Sequence, residues 1–458
     1  MTEMLQHWVT GQAGRRGDAT AVVLQDERLS YGELEVLSNQ LARALKERGC
    51  VRGDRIALFL PKSPLAIVCM LGIYKADCIY VPLDTTSSSQ RLARIIAASG
   101  SRCMLTAASL AAQVRELLAE PGLPSLRVGW LGTPADPAGL PLSFRFSDIG
   151  MLPGIPVQSA YRAQDPAQIL YDPADGAPLR GVVLSHANTV ATVAWAARHF
   201  RLGESDRLAG HASLSSQHSL LDVFGSAAAG AELHLVPADC HHLPKRLAAW
   251  IRDSGITHWS SSPSVLDTMA RLDAVQPWDF PDLRRVLWHG DALPGDSLGY
   301  WMERLPHAAF TGLHGSAETL VAGHHTAASF PEGESAFPIG SAAGAELLVL
   351  DHNLQPVSAG ATGELYIKGP SLSGGYWDDP ESTARIFPTL EGVGRVYRSG
   401  LQARLGEDGL VYPASDASAV EAVASASPDE AEGRLTRPLP AGRWSAWQEL
   451  PGGVDRPV

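Results

Sequence analysis

Arg55-Ile56-Ala57-Leu58-Phe59-Leu60 and Ile79-Tyr80-Val81-Pro82-Leu83, separated by a helix-length apolar stretch from about 63 to 75, decide the fold. Each outer run is too short for a helix and apolar on successive residues, the pattern of a strand covered on both faces. Gly53-Asp54 and Pro61 bound the first run. Strand, helix and strand in that order form a crossover unit, and such a unit lays its strands parallel. Toward the N-terminus, Tyr31-Gly32-Glu33-Leu34 opens an amphipathic helix with Leu34, Leu37, Leu41 and Leu45 on one face, and Gly49 ends it. A further helix fits ~89–99.

The same rhythm returns later in the chain. Helices are expected at ~186–199, ~244–254 and from Ser264 to Leu272. Strands are expected at Leu233-His234-Leu235-Val236, Thr257-His258-Trp259, Arg285-Val286-Leu287-Trp288 and Ala308-Ala309-Phe310. From about 336, short β segments with Gly-rich turns (Glu346 to Leu350, Gly363 to Lys368) indicate a small barrel or sheet. The expected class is therefore α/β: two similar αβ subdomains with mostly parallel sheets flanked by helices, about 1–165 and 166–335, plus a small β-barrel-like part at 336–412. Residues 413–458 are rich in Ala, Ser, Pro, Gly and Glu without apolar periodicity. They are expected to be a disordered tail, with a short helix around Ala417–Ala424.

Composition narrows the function classes. At 458 residues, with 45% hydrophobic and 19% charged residues, the chain suits a multi-subdomain globular protein. A net charge of −12 and no basic cluster argue against a nucleic-acid surface. The N-terminus lacks the charged and apolar regions of a signal peptide, and the run Ile67 to Tyr74 is far short of the about 20 residues of a membrane span. A cytoplasmic protein without a membrane partner is expected.

The five cysteines (Cys50, Cys69, Cys78, Cys103, Cys240) form no CxxC pair and read as reduced, buried thiols. Cys240-His241-His242, His324-His325 and His211/His218 invite a metal reading. Adjacent histidines on a strand point to opposite faces, however, and no carboxylate stands in register with them. No nucleophile elbow or dinucleotide fingerprint occurs.

Between the apolar runs Gln168-Ile169-Leu170 and Val182-Val183-Leu184 lies Tyr171-Asp172-Pro173-Ala174-Asp175-Gly176-Ala177-Pro178-Leu179-Arg180-Gly181. A loop that grips phosphate needs glycines, so that backbone N–H groups converge, and hydroxyl donors. This loop carries carboxylates at Asp172 and Asp175, and Pro173 and Pro178 donate nothing. It is a poor triphosphate cradle.

Several local patterns, in order, resemble the adenylate-forming superfamily over roughly residues 5–412, and most closely the adenylation domains of nonribosomal peptide synthetases. They are Leu29-Ser30-Tyr31-Gly32-Glu33-Leu34; Tyr74-Lys75-Ala76 through Leu83-Asp84, with Asp77 where a Gly is usual; and Ile256-Thr257 to Pro263-Ser264-Val265-Leu266. Leu283 to Leu287 followed by Gly290-Asp291-Ala292-Leu293-Pro294, and Gly363-Glu364-Leu365 through Gly369-Pro370 and Gly374-Gly375-Tyr376-Trp377, complete the set. The resemblance implies a carboxylic-acid-activating ligase of secondary metabolism, with ATP and Mg²⁺ if active and no cofactor otherwise. It implies a small carboxylic acid as substrate and an acyl or peptidyl carrier protein as partner.

By the resemblance, Gly176, Arg180 and Gly181 belong to the phosphate loop. Gly290, Asp291 and Ala292 face adenine, and His314 takes the place of a stacking aromatic. Gly315, Ser316 and Ala317 precede Glu318, the Mg²⁺-binding and catalytic carboxylate. Gln217, His218, Leu221, Leu287, His289, Leu313, Val321 and Ala322 match the acid pocket.

The departures fall on the nucleotide side. Ala317 replaces a Thr, and Arg180 stands in for a Lys. Leu401 replaces the Asp that grips both ribose hydroxyls, and Tyr412-Pro413-Ala414-Ser415-Asp416 lacks the hinge Arg. No Lys follows Lys368, so the C-terminal subdomain that supplies a catalytic Lys is expected to be missing. Gln217 occupies the position of the Asp that pairs with a substrate amine, which disfavours an α-amino acid. The expected protein is a ligase relative with impaired or lost activation, a pseudoenzyme candidate. The alternatives are an acyl or aryl acid ligase completed by a separate C-terminal domain, and a non-catalytic scaffold for a carrier protein.

Overall fold

The computed structural model describes residues 4–131, 143–172, 176, 178–241, 243–290, 292–327 and 337–414. The expected disordered tail, apart from its first two residues, and the helix within it lie outside these residues, as do Asp291 and His242. Two large sheets dominate. One has the strand order Gly375–Tyr376, Val182–Ser185, Pro166–Leu170, Ile79–Pro82, Arg55–Phe59, Cys103–Ala107, Arg127–Leu131, Phe144–Arg145. It is parallel except where Val182–Ser185 pairs with its two neighbours. The other runs Ser341–Ala342, Gly323–Ala327, Ala309–His314, Arg285–His289, His258–Ser261, Arg207–Gly210, Glu232–Leu235, Thr20–Leu24, Glu27–Ser30. Its five consecutive parallel pairings, from Ala309–His314 to Thr20–Leu24, are flanked by antiparallel edges. A four-stranded antiparallel sheet (Glu346–Leu350, Thr362–Lys368, Tyr397–Leu405, Val411–Pro413) forms the small β part.

The α/β class with mostly parallel sheets is as expected, and the sheets exchange strands along the chain. The hairpin at 20–30 joins the sheet built from 207–342, while Pro166–Leu170 and Val182–Ser185 complete the sheet built from 55–145. The sequence pattern does not signal this hairpin, because Glu27–Ser30 is an edge strand with few apolar residues and its burial shows no alternation. Helix Leu5–Arg16 escapes for a similar reason: its face is diluted by Gln, Thr and Gly.

Local chemistry sets the elements. Ser30 caps helix Tyr31–Glu47 by accepting from the Glu33 N–H, and the Glu33 carboxylate accepts in return from the Ser30 N–H at 2.8 Å. Helix Pro64–Lys75 starts on Ser63 with proline in its first turn, and nearly every residue of it is buried. Its last residue, Lys75, is buried and donates to Glu35 Oε2 (2.6 Å), Ser38 Oγ (2.8 Å) and Asn39 Oδ1 (2.9 Å), pinning the two helices together. Asp77, where the resemblance leads one to expect Gly, adopts a left-handed φ of 61°. Its buried carboxylate accepts from Lys46 Nζ (3.0 Å), the Ala160 N–H (3.1 Å) and Ser159 Oγ, which explains why a carboxylate is tolerated there. No helix among the described residues is long and apolar enough to cross a membrane.

His186 begins helix His186–Phe200, fully buried edge-on to Tyr74 (5.3 Å) and Tyr161 (5.8 Å). Neither ring nitrogen has a hydrogen-bond partner among the described residues, and burial lowers its pKa from 6.5 to about 4. Above pH 6.5 both folded and unfolded states hold it neutral. Below that, only the unfolded chain takes the proton, so stability falls by about 1.4 kcal/mol per pH unit until about pH 4. His186→Leu is therefore expected to flatten the pH dependence of the urea midpoint in this window by one proton's worth. An unchanged slope would show that His186 is not held neutral.

Asp77→Ala keeps the left-handed backbone while removing its three ties. It should cost about 1–3 kcal/mol in the same assay.

Candidate nucleotide and acid site

The parallel strands of both sheets end on one crevice, where ligands of open α/β sheets bind. On the nucleotide side, strand Ala309–His314 runs into a turn in which the backbone folds back on itself. A Cβ on Gly315 would lie 1.8 Å from the Leu320 carbonyl oxygen, so only glycine fits. The turn closes through Ser316 N–H to Thr319 Oγ1 (3.1 Å) and Leu320 N–H to the Ser316 carbonyl (2.7 Å). It presents Glu318, whose Oε1 accepts from the Tyr376 phenol at 2.9 Å, and whose carbonyl accepts from the Ser373 N–H at 2.8 Å. Burial raises the Tyr376 pKa and keeps the phenol a donor. Tyr376 is a site residue that motif reasoning does not single out. The signal is present in Gly374-Gly375-Tyr376-Trp377, but nothing in the sequence places that segment against Val182–Ser185.

The other nucleotide residues divide. Ala317 packs against Val182, Tyr376 and Phe387. The Arg180 guanidinium lies 5.8 Å from the Tyr376 ring centre, and the Gly181 carbonyl accepts from the Trp377 N–H at 2.7 Å, so the end of the loop does meet Glu318's partners. Gly176 has open space where a side chain would go. Buried Arg91 braces the loop, donating to the carbonyls of Asp172 (2.7 Å) and Pro178 (3.4 Å). Gly290 follows strand Arg285–His289 with a φ of 88°, ahead of Ala292. His314 ends its strand, and desolvation lowers its pKa to about 4, leaving a neutral ring. Leu401 packs against the core of the small sheet, its N–H held by Ser399 Oγ at 3.1 Å.

Glu318 offers a single carboxylate, and no group of three or more ligating side chains exists among the described residues. That donor set fits Mg²⁺ only when a polyphosphate supplies most of the oxygens.

On the acid side, Gln217 and His218 stand at the start of helix His218–Ala229. The His218 and His289 rings stack at 4.1 Å; Gln217 Nε2 donates to His218 Nε2 (3.1 Å), and His289 Nε2 lies 2.8 Å from Ser260 Oγ. Burial lowers the His218 pKa to about 4 and that of His289 well below its ordinary value, so both rings are neutral. The aliphatic members of the expected pocket (Leu221, Leu287, Leu313, Val321) fill the space among themselves with Ala196, Phe200 and Ala343, and Ala322 belongs to the small-sheet core. The void left beside Gln217 and His218 is about 10 Å³. That volume holds about one water at most.

Beyond the histidine pair a cavity of about 900 Å³ opens between the strand ends of the two sheets. Its wall includes Lys62, Asp84, His211 and Ser260, none of which the sequence marked as acid-side residues. Lys62 Nζ donates to the carbonyls of Gly210 (2.6 Å) and His211 (2.7 Å), and desolvation lowers its pKa to about 8. Asp222 near it is buried and pushed well above the ordinary carboxylate range by desolvation. Asp84 accepts from the Thr86 N–H and hydroxyl and from Ser213 and Ser215. Of the histidines considered for metal, His324 faces His199 and Trp195 while His325 faces Phe337, as alternate strand positions must. The cysteines are buried and unpaired.

Comparison with known proteins agrees with this geometry. The AMP-binding enzyme family matches residues 9–377. The L-proline--[L-prolyl-carrier protein] ligase of Streptomyces coelicolor is 32% identical over 412 residues, covering 83% of this chain and 76% of that protein. A linear gramicidin synthase of Brevibacillus parabrevis is 30% identical over 90% of this chain, which spans only 8% of that synthase. The chain likewise spans 60% of syringomycin synthase SyrB1 of Pseudomonas syringae pv. syringae. Among solved structures, the nonribosomal peptide synthetase FmoA3 aligns with a TM-score of 0.79 at 28% identity, covering 89% of this chain and 42% of that one. With its fold, its crevice and this match in agreement, the chain belongs to the AMP-binding enzyme family of adenylate-forming ligases, and is related to the adenylation domains of nonribosomal peptide synthetases.

Proposed function

We propose that this chain is a carboxylic-acid-activating adenylation relative that keeps an acid side and has lost much of its nucleotide side, so that ATP-dependent activation is impaired. The observation that carries this reading is Leu401. Its side chain packs, partly buried, against the small-sheet core at the position that the resemblance assigns to the ribose carboxylate. Two charge-assisted hydrogen bonds are then unavailable, a loss of about 3 kcal/mol or about a hundredfold in nucleotide affinity. The loop adds to it. Pro173 and Pro178 donate nothing, the carbonyls of Asp172 and Pro178 are held by Arg91, and Arg180 leans on Tyr376.

The proposed substrate is a carboxylic acid other than an α-amino acid, because Gln217 carries no charge for an ammonium group and turns its amide to His218. The relatives named as carrier-protein ligases support an acyl or peptidyl carrier protein as the acceptor. A second reading, a working acyl- or aryl-acid ligase completed by a separate C-terminal domain, is favoured by one observation. The Gly315 turn and the Glu318–Tyr376 bond keep the metal-facing carboxylate in place. ATP and Mg²⁺ would then be used as in the family.

Pyrophosphate release against a panel of aryl, acyl and hydroxy acids is expected to stay at background for the chain alone and after addition of a relative's C-terminal subdomain. A rise on that addition selects the second reading.

Replacing 172–180 by a Gly/Ser/Thr-rich loop together with Leu401→Asp is expected to raise ATP affinity about 10–100-fold. Leu401→Asn serves as the uncharged control, and melting curves check that the fold is kept. No gain in affinity would overturn the roles given to these positions.

A further inference from the structure

The acid side contains two spaces separated by the His218–His289 stack, and they differ greatly in size. The space that the sequence match assigns to the acid is closed to about 10 Å³. The inter-sheet cavity on the other side measures about 900 Å³. Ligand pockets run from about 300 to 1,000 Å³, so the second space is large enough for an extended molecule.

Its lining defines the chemistry it would accept. Leu58, Leu60, Tyr80 and Leu214 give it apolar surface, and the serines that follow strand His258–Ser261 and strand Arg207–Gly210 give it hydroxyls. Its lining charges are already engaged: Lys62 with two carbonyls, Asp84 with four donors and Asp239 with Arg246 at 3.0 Å. An anionic tail would meet the carboxylates of Asp84 and Asp239, and a cationic tail would have to displace the donors those carboxylates already hold, so either is costly in the cavity. His211 is different. Its Nδ1 accepts from Trp259 Nε1–H at 3.2 Å, with Ser261 Oγ also at 3.2 Å, and burial lowers its pKa to about 3. A neutral ring with Nδ1 as acceptor carries its proton on Nε2, which makes His211, a cavity-lining residue packed 4.9 Å from the His241 ring, an N–H donor.

We propose that the acid used by this chain is elongated and uncharged beyond its carboxylate. Its carboxyl end sits by the His218–His289 stack, next to Gly290, and its hydroxyl- or carbonyl-bearing tail runs through the inter-sheet cavity past His211. This rests on the acid-binding reading above and not on the nucleotide reading.

Binding is therefore tested without ATP, by ligand-induced melting shifts and calorimetry. The probes are ω-hydroxylauric acid, lauric acid, 3-hydroxybenzoic acid and L-proline. The hydroxylated long acid should bind tightest, and Ala212→Trp, at a partly exposed position in the cavity wall, should weaken it at least about tenfold. His211→Leu should cost ω-hydroxylauric acid about fivefold and lauric acid little, the worth of one hydrogen bond. Preference for the compact acids, no binding of either long acid, or an unchanged affinity in both variants would overturn the proposal. Each of these outcomes leaves the ATP-affinity result of Leu401→Asp standing on its own.

Discussion

Two charged side chains tie together the strand ends on which everything else depends. Lys62, just past one sheet's strand Arg55–Phe59, reaches the carbonyls of Gly210 and His211 at the end of a strand in the other sheet. Asp84, just past Ile79–Pro82, holds Ser213 and Ser215 from that same second sheet. Parallel strands end with their carbonyls unpaired and their following loops free to carry chemistry. Bridging the two sheets at that edge fixes the loops relative to one another and keeps the space between them open. Both bridging groups are partly exposed at the cavity rim, and each is satisfied by several partners.

Along this seam the two halves of the site differ in how they are built. On the Glu318 side, only glycine fits at 315, and the turn delivers Glu318 to Tyr376. The side chains that the resemblance assigns to nucleotide contact are short or apolar there. Ala317 and Leu401 pack, partly buried, against neighbouring apolar clusters. The acid half shows the reverse. Leu221, Leu287, Leu313 and Val321 have closed the small space among themselves, while neutral histidines and hydroxyls line a much larger one.

The crossover pattern was legible because strands buried on both faces are apolar without interruption, as in Arg55–Phe59 and Ile79–Pro82. Helix Ser89–Ser99 was legible from its apolar periodicity. Glu27–Ser30, half polar at a sheet edge, was not. On the site, the family resemblance singled out Glu318, His218 and His289, of which only His289 adjoins an expected strand; helix His218–Ala229 had no place in the sequence reading. Sequence could not show that the two histidines stack, that Tyr376 reaches Glu318 from 58 residues away, or that Lys62 and Asp84 face residues some 130–150 positions distant. Those contacts depend on how the two sheets interleave, which no local pattern encodes. Asp77 illustrates the limit. A non-glycine residue at a glycine position reads as a departure, and in the structure it is an anchor for Lys46 and the backbone at 160.

The central claim is that an intact adenylation fold carries a weakened nucleotide grip. Calorimetric titration of Mg·ATP into the purified chain tests it most directly. The account predicts a dissociation constant of about 1 mM or weaker, corresponding to no more than about 4 kcal/mol of binding free energy. A constant of about 10 μM or tighter would contradict it. It would show that Leu401, Ala317 and the proline-bearing loop are compensated by contacts elsewhere in the crevice.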